Sequence, residues 1–107
     1  MFLRAYSRRI MGAWMAGPQD ACHAETVEVC VTLEGVMHAV LDGHLCVNES
    51  RTVAIIPPNT LHSSWTEGQA VEEIVVHLRA DGLPGVERLK PGVWPAAALG
   101  GIAALRD

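Results

Sequence analysis

Charge is scarce in this chain, and clustered basic charge scarcer still. Of 107 residues 19% are charged, and the formal net charge is −4. No Lys/Arg cluster offers a surface for phosphates, so direct nucleic-acid binding is not expected. The one basic knot, Arg4, Arg8 and Arg9, is short. It reads as solvated charge on a strand edge, where it discourages sheet-to-sheet pairing. Cysteine is scarce as well. Cys22, Cys30 and Cys46 are odd in number and match no paired framework, which points to reduced thiols and a cytoplasmic location. No apolar run approaches bilayer-spanning length. The first ten residues already hold three arginines, so the N-terminus does not read as a signal peptide. Repeats and low-complexity segments are missing.

What is present is apolar and β-rich. Hydrophobic residues make up 50% of the chain, enough for one globular domain spanning 1–107. Residues 9–16 read as a strand with Gly12 as a bulge, and Gly17-Pro18-Gln19-Asp20 as a turn. Residues 27–33 alternate strictly: Val27, Val29, Val31 and Leu33 on one face, Glu28, Cys30 and Thr32 on the other. Residues 36–41 form the next run, and Asp42-Gly43 is the strongest hairpin signal in the chain. His44 to Val47 pairs back across it. Thr52 to Ile56 reads as a buried strand ended by Pro57-Pro58. His62 to Thr66 and Val71 to Arg79 read as two strands separated by a Glu67-Gly68-Gln69 loop. Many short strands joined by turns argue a sandwich or closed barrel. After the barrel, at about 9–79, Trp94-Pro95 opens an alanine-rich tail that reads as a helix over about 94–106.

The stretch from His23 to His62 carries a family likeness. His23, Glu28 and Gly35 match the histidine, glutamate and glycine of the first cupin motif. Pro57, Asn59 and His62 match the proline turn and histidine of the second. The chain therefore resembles the cupin superfamily over roughly 22–78. Ala21 stands where the motif has its first histidine, Arg51 where it has a glycine, and Thr66 where it has an asparagine. The resemblance implies an all-β, cupin-type double-stranded jelly-roll barrel, here with a short C-terminal helix. A barrel followed by "VVHLRADGLPG" and a helical segment further resembles the N-terminal ligand-sensing domain of AraC-type transcription regulators. In that family the barrel binds a small effector and the following helices pair two subunits. Their helix-turn-helix module has no counterpart in this sequence, so DNA binding is not carried over.

Strand parity decides which residues face a ligand, and two registers are open. In one, the aliphatic row of residues 27–33 fills the barrel and Glu28 meets water. In the other, which the resemblance favours, Glu28, Cys30 and Thr32 point inward, with His62, Ser64 and Thr66 as a second polar row. The outward aliphatic row then demands a cover, since burying such side chains is worth about 1.5–3 kcal/mol each. That cover is the N-terminal strand, the C-terminal helix or a second copy, and a homodimer is expected. Ligand-binding candidates are His23, Glu28, Cys30, Thr32, His62 and Ser64.

Three function classes stay open. The first is a small-molecule-binding barrel similar to the AraC-type sensing domains. The second is a metal-dependent cupin enzyme of isomerase, lyase or oxygenase type, acting on a small sugar-like or carboxylated substrate. The resemblance implies for it one divalent metal (Zn, Fe, Mn or Ni) on His23, Glu28 and His62. The third is an inert dimerisation module. No catalytic residue stands out from the sequence. His77 reads as a satisfied, partly buried histidine, Cys30 as a wall residue, and Trp65 as lying outside the pocket.

Overall fold

The structure, a computed structural model, describes residues 2–19 and 25–98. Seven antiparallel strands make one sheet that curls into a nearly closed barrel: β1 (Phe2–Gln19), β2 (Thr26–Glu34), β3 (Met37–Leu41), β4 (His44–Asn48), β5 (Thr52–Ile56), β6 (His62–Arg79) and β7 (Gly92–Pro95). The strand order is β4-β3-β6-β2-β5-β7, with β1 pairing β6. The ends of that path, β4 and β7, touch. Among the described residues no helix is long and apolar enough to cross a membrane.

The 18-residue β6 is the organising strand. Its first part pairs β3 (His38 opposite Trp65, Leu41 opposite His62) and its second part pairs β2 (Val31 opposite Ile74, Glu28 opposite His77). On its other edge β1 runs alongside for nearly the whole length. The loop expected at 67–69 is therefore not a loop. Gly12 and Gly68, both at positive φ, face each other at a register shift, so the two long strands bend together without parting.

Turn chemistry sets the rest. Asp42 (φ 51°) and Gly43 (φ 82°) are both left-handed, as a two-residue hairpin between Leu41 and His44 requires. Gly35 also sits at positive φ (83°), and a Cβ there would press into the carbonyl oxygen of Ala70. Only glycine fits, which accounts for this motif position physically.

Two expectations at the ends change. β1 starts at Phe2, seven residues before the expected start. Residues 92–95 are not the first turn of a helix but an edge strand, Trp94 opposite Val53 and Pro95 opposite Thr52. Pro95 is tolerated there because it closes an edge strand. One 3-10 turn follows at Ala96–Ala98. The remainder of the expected helix lies outside the described residues.

Inside the barrel, Ile10, Met37 and Val71 pack together with Trp14 against them, and Ala39, Leu41 and Ile56 pack with Cys46 and Val93. These apolar clusters leave a polar zone between β1, β2 and β6.

Candidate functional site

The register is the inward one. Glu28 and Cys30 line the barrel interior, and Thr32 is fully buried on the same face. Val29 and Val31 lie on the outer face, half-buried, with Leu33 exposed beyond them. The N-terminal strand does not cover that row. It pairs with β6 and extends the sheet instead.

Two contiguous spaces open inside. A mouth of about 200 Å³ is lined by Arg4, Tyr6, Arg8, Trp14, His62 and His77, together with Glu28 and Ser64. A narrower inner space of about 40 Å³ shares Arg8, Glu28, His62 and Ser64 with it and continues to Cys30, Asn48 and Glu73. A wider groove, about 370 Å³, lies outside the barrel along Pro57, Pro58, Asn59, Ala80, Asp81 and Leu89. It holds none of the inward polar rows, and of its two carboxylates, Asp81 and Glu87, the first is already paired with Arg79 at 2.9 Å.

The polar residues of the interior are tied to one another. His77 Nε2 lies 2.7 Å from Glu28 Oε1, across a direct β2–β6 pair. Arg4 Nε donates to His77 Nδ1 at 3.2 Å. An arginine nitrogen only donates, so Nδ1 accepts and Nε2–H donates to Glu28. The Cys30 thiol donates to Glu28 Oε2 at 3.5 Å. Deeper in, Glu73 is 1% exposed and accepts from Arg8 Nε at 2.5 Å. The guanidinium carbons of Arg4 and Arg8 lie 4.9 Å and 4.8 Å from the ring centres of Tyr6 and Trp14.

Cys30 is held as a thiol. Burial pushes its pKa well above the ordinary value of 9.0. The Glu28 and Glu73 carboxylates and the hydrogen bond to Glu28 push the same way, and only Arg8 opposes them. A thiolate is the nucleophile and metal ligand, so Cys30 is a wall residue, not a ready nucleophile.

The expected site residues meet this geometry unevenly. Glu28, Cys30, His62 and Ser64 come together. His62 stands at the mouth with its Nδ1–H donating to the Thr60 carbonyl at 2.9 Å, which aims Nε2 the other way. Thr32 shares the inward face but lines neither space, and its hydroxyl has no partner among the described residues. His23 lies outside the described residues. Among those described, no group of three His, Cys, Asp or Glu side chains converges to hold a metal ion. Glu28 is committed to His77 and Cys30 instead. Of the expected set His23, Glu28 and His62, only Glu28 and His62 are among the described residues.

Sequence reasoning missed Arg4, Tyr6, Arg8, Trp14 and Glu73 as site residues, and it treated His77 as a bystander. Arg9 is exposed, as a solvated edge charge should be, and so is Arg4, but Arg4 and the half-buried Arg8 both line the mouth. They alternate with Ala5 and Ser7, so a strand starting at Phe2 puts Arg4, Tyr6, Arg8 and Ile10 on the inner face, opposite His77, Val75, Glu73 and Val71. The signal was the period-two pattern itself, hidden by a strand start placed too late. Trp65 does lie on the outer face. It stacks on His38 at 5.5 Å, and His38 pairs with Glu67 at 2.8 Å.

No protein-family model matches the chain, and no curated protein matches it. Solved structures do. A putative glyoxylate-induced protein from Pseudomonas aeruginosa is similar with a TM-score of 0.72 at 17% identity, over 85% of this chain and 34% of that one. The chain thus spans about a third of that protein's length. A cupin protein from Bacteroides fragilis gives 0.58 at 12% identity, over 76% of this chain and 69% of that one. The cupin_2 domain of an XRE family transcriptional regulator from Enterobacter cloacae gives 0.53 at 14%, over 68% of this chain and 77% of that one. Identities this low speak to architecture alone. Together with the nearly closed antiparallel barrel, they establish that this chain has the cupin-type jelly-roll fold.

Proposed function

We infer that the chain is a small-molecule-binding cupin domain whose ligand enters the barrel between β1, β2 and β6. The observation carrying this reading is the polar mouth of about 200 Å³. A filled, inert barrel has no use for arginines, histidines and a carboxylate on its inner face, because each must be desolvated and then compensated. Convergent polar groups around an open concavity are the usual signature of a ligand site.

The reading includes a sensing role similar to that of the AraC-type effector domains. The Enterobacter structure is a domain of a transcriptional regulator, which shows that a barrel of this shape can serve one. The outer aliphatic face of β2, β5 and β6 supports a homodimer, and Cys30 and Cys46, both free thiols, suit a cytoplasmic protein.

A thermal-shift screen of small metabolites, followed by calorimetry with and without EDTA, tests the reading. Saturable binding at one site per chain that survives chelation is expected. Binding abolished by EDTA, together with about one metal per chain in elemental analysis that His62→Ala removes, would replace it with the metal-dependent enzyme. An absence of both ligand and metal would leave only the dimerisation module.

A further inference from the structure

We propose that the barrel mouth is a receptor for a small carboxylate, with Arg4 as its principal anchor and Arg8 as the second. The proposal names the ligand class of the site described above and rests on that reading.

The argument is an inventory of donors and acceptors. Both oxygens of Glu28 are taken, one by His77 and one by the Cys30 thiol. Glu73 accepts from Arg8. The carboxylates of the interior are thus occupied by protein donors. The arginines are not exhausted. Each spends its Nε on the protein, Arg4 on His77 and Arg8 on Glu73, and each lays its guanidinium against a ring. Among the described residues, the terminal nitrogens of both donate to no protein acceptor. Asn48 Oδ1, on the inner space, is a buried acceptor with no partner among the described residues. At the mouth the surplus is the arginine donors, and a ligand that takes them must bring acceptors.

The shape of the surplus narrows the class. A guanidinium fixed at Nε and backed by a ring offers its terminal N–H groups as a rigid fork, the geometry that matches a carboxylate. Arg8 already has a carboxylate on it, whereas Arg4 contacts a histidine and a tyrosine and has no carboxylate partner among the described residues. The arginine without a carboxylate partner is therefore Arg4, whose exposed side chain stands at the rim of the mouth, within reach of an incoming ligand. A mouth of about 200 Å³ equals roughly seven water volumes of ~30 Å³. That is room enough for a small acid.

The test uses the full chain at neutral pH, with sodium lactate and sodium benzoate as probes and lactamide and benzamide as their uncharged counterparts. Binding is read by calorimetry and by NMR chemical shifts. At least one carboxylate should bind saturably, at least tenfold tighter than its amide. Arg4→Gln should weaken it about tenfold, while Arg79→Gln, at the exposed end of β6, leaves it unchanged. Circular dichroism of Arg4→Gln and binding by Arg4→Lys control for folding. Amides that bind as well as the acids, or an Arg4→Gln variant with undiminished affinity, would overturn the carboxylate assignment and leave the ligand-binding reading standing. Binding of neutral fragments at the mouth without any acid would do the same. Failure of acids, amides and a neutral fragment library alike would overturn both.

Discussion

Glu28 and His77, 49 residues apart in sequence, sit directly opposite each other on β2 and β6 and share a 2.7 Å hydrogen bond inside the barrel. Both are largely withdrawn from water, with side chains 15% and 10% exposed. Glu28 serves as the acceptor for the ring and for the Cys30 thiol together. Removing it takes an acceptor from two donors at once. Glu28→Ala should lower stability by about 2 kcal/mol, the cost of unsatisfied buried polar groups. Glu28→Gln keeps an acceptor oxygen and should cost less than half of that. Urea unfolding followed by circular dichroism measures both, and equal losses would mean that the carboxylate merely fills space.

Arg8 and Glu73 form the deeper pair, and here burial is lopsided: the arginine side chain is 35% exposed, the glutamate 2%. Losing the arginine leaves a charge with nowhere to go. Arg8→Ala should cost about 3 kcal/mol or more. The double variant Arg8→Met/Glu73→Leu should regain most of it, because two apolar side chains need no compensation. A double variant as unstable as the single one would show that the pair holds the barrel in shape.

The contrast between these two pairs shows what the sequence made legible. The alternation of residues 27–33 announced a strand and the coincidence of its polar row with the motif positions. Asp42-Gly43 announced its own hairpin. Arg4, Arg8, Glu73 and His77 were not legible as a group. Their parity depends on where long strands begin and whether they break. Glu67-Gly68-Gln69 looks like a loop in one dimension. Only the opposed Gly12, at φ 79°, shows that β1 and β6 bend as one. The eventual partners of the arginines lie 65 and 73 residues away, a separation on which local patterning is silent.

Backbone geometry yields a prediction of opposite sign at two motif positions. Gly35→Ala places a side chain at φ 83° against the Ala70 carbonyl and should destabilise by at least about 2 kcal/mol. Arg51 stands where the resembled motif has a glycine, and it adopts φ 65°. Arg51→Gly should therefore relieve strain and stabilise by up to about 1 kcal/mol, after allowance for glycine's greater freedom when unfolded. Thermal melts of the two variants, displaced in opposite directions, are the expected result.

Cys30 predicts a response to alkali. Burial first, and then the Glu28 and Glu73 carboxylates, raise its pKa on folding. The native state thus holds the thiol proton more tightly than the unfolded chain does. Its contribution to stability is fully present below the unfolded value near 9.0 and is lost as pH rises above it towards the folded value. Wild-type urea midpoints should fall more steeply above about pH 9 than those of Cys30→Ala. Cys46, raised by burial as well, titrates in both proteins and cancels from the comparison. Parallel pH profiles would mean that Cys30 ionises as freely inside the barrel as outside it.

The outer face of the same strand predicts self-association. Val29, Val31, Ile55, Ile74 and Val76 share one face of β2, β5 and β6 by direct pairing and are each half-buried. β1 adds to the edge of this sheet without layering over it. Val27 and Val53 on the same face are already buried at 2% exposure, so the half-buried remainder is the part that the proposed homodimer would cover, a two-fold pairing letting one patch cover itself. Sedimentation of the wild-type chain at micromolar concentration should show a dimer. Val31→Lys should give monomers, with ligand affinity at the barrel mouth unchanged, since Val31 faces away from it. Val27→Ala, at a neighbouring position that is only 2% exposed, should instead lower stability by about 2 kcal/mol while leaving the dimer intact. A wild-type chain that stays monomeric would assign the cover of this face to residues beyond those described.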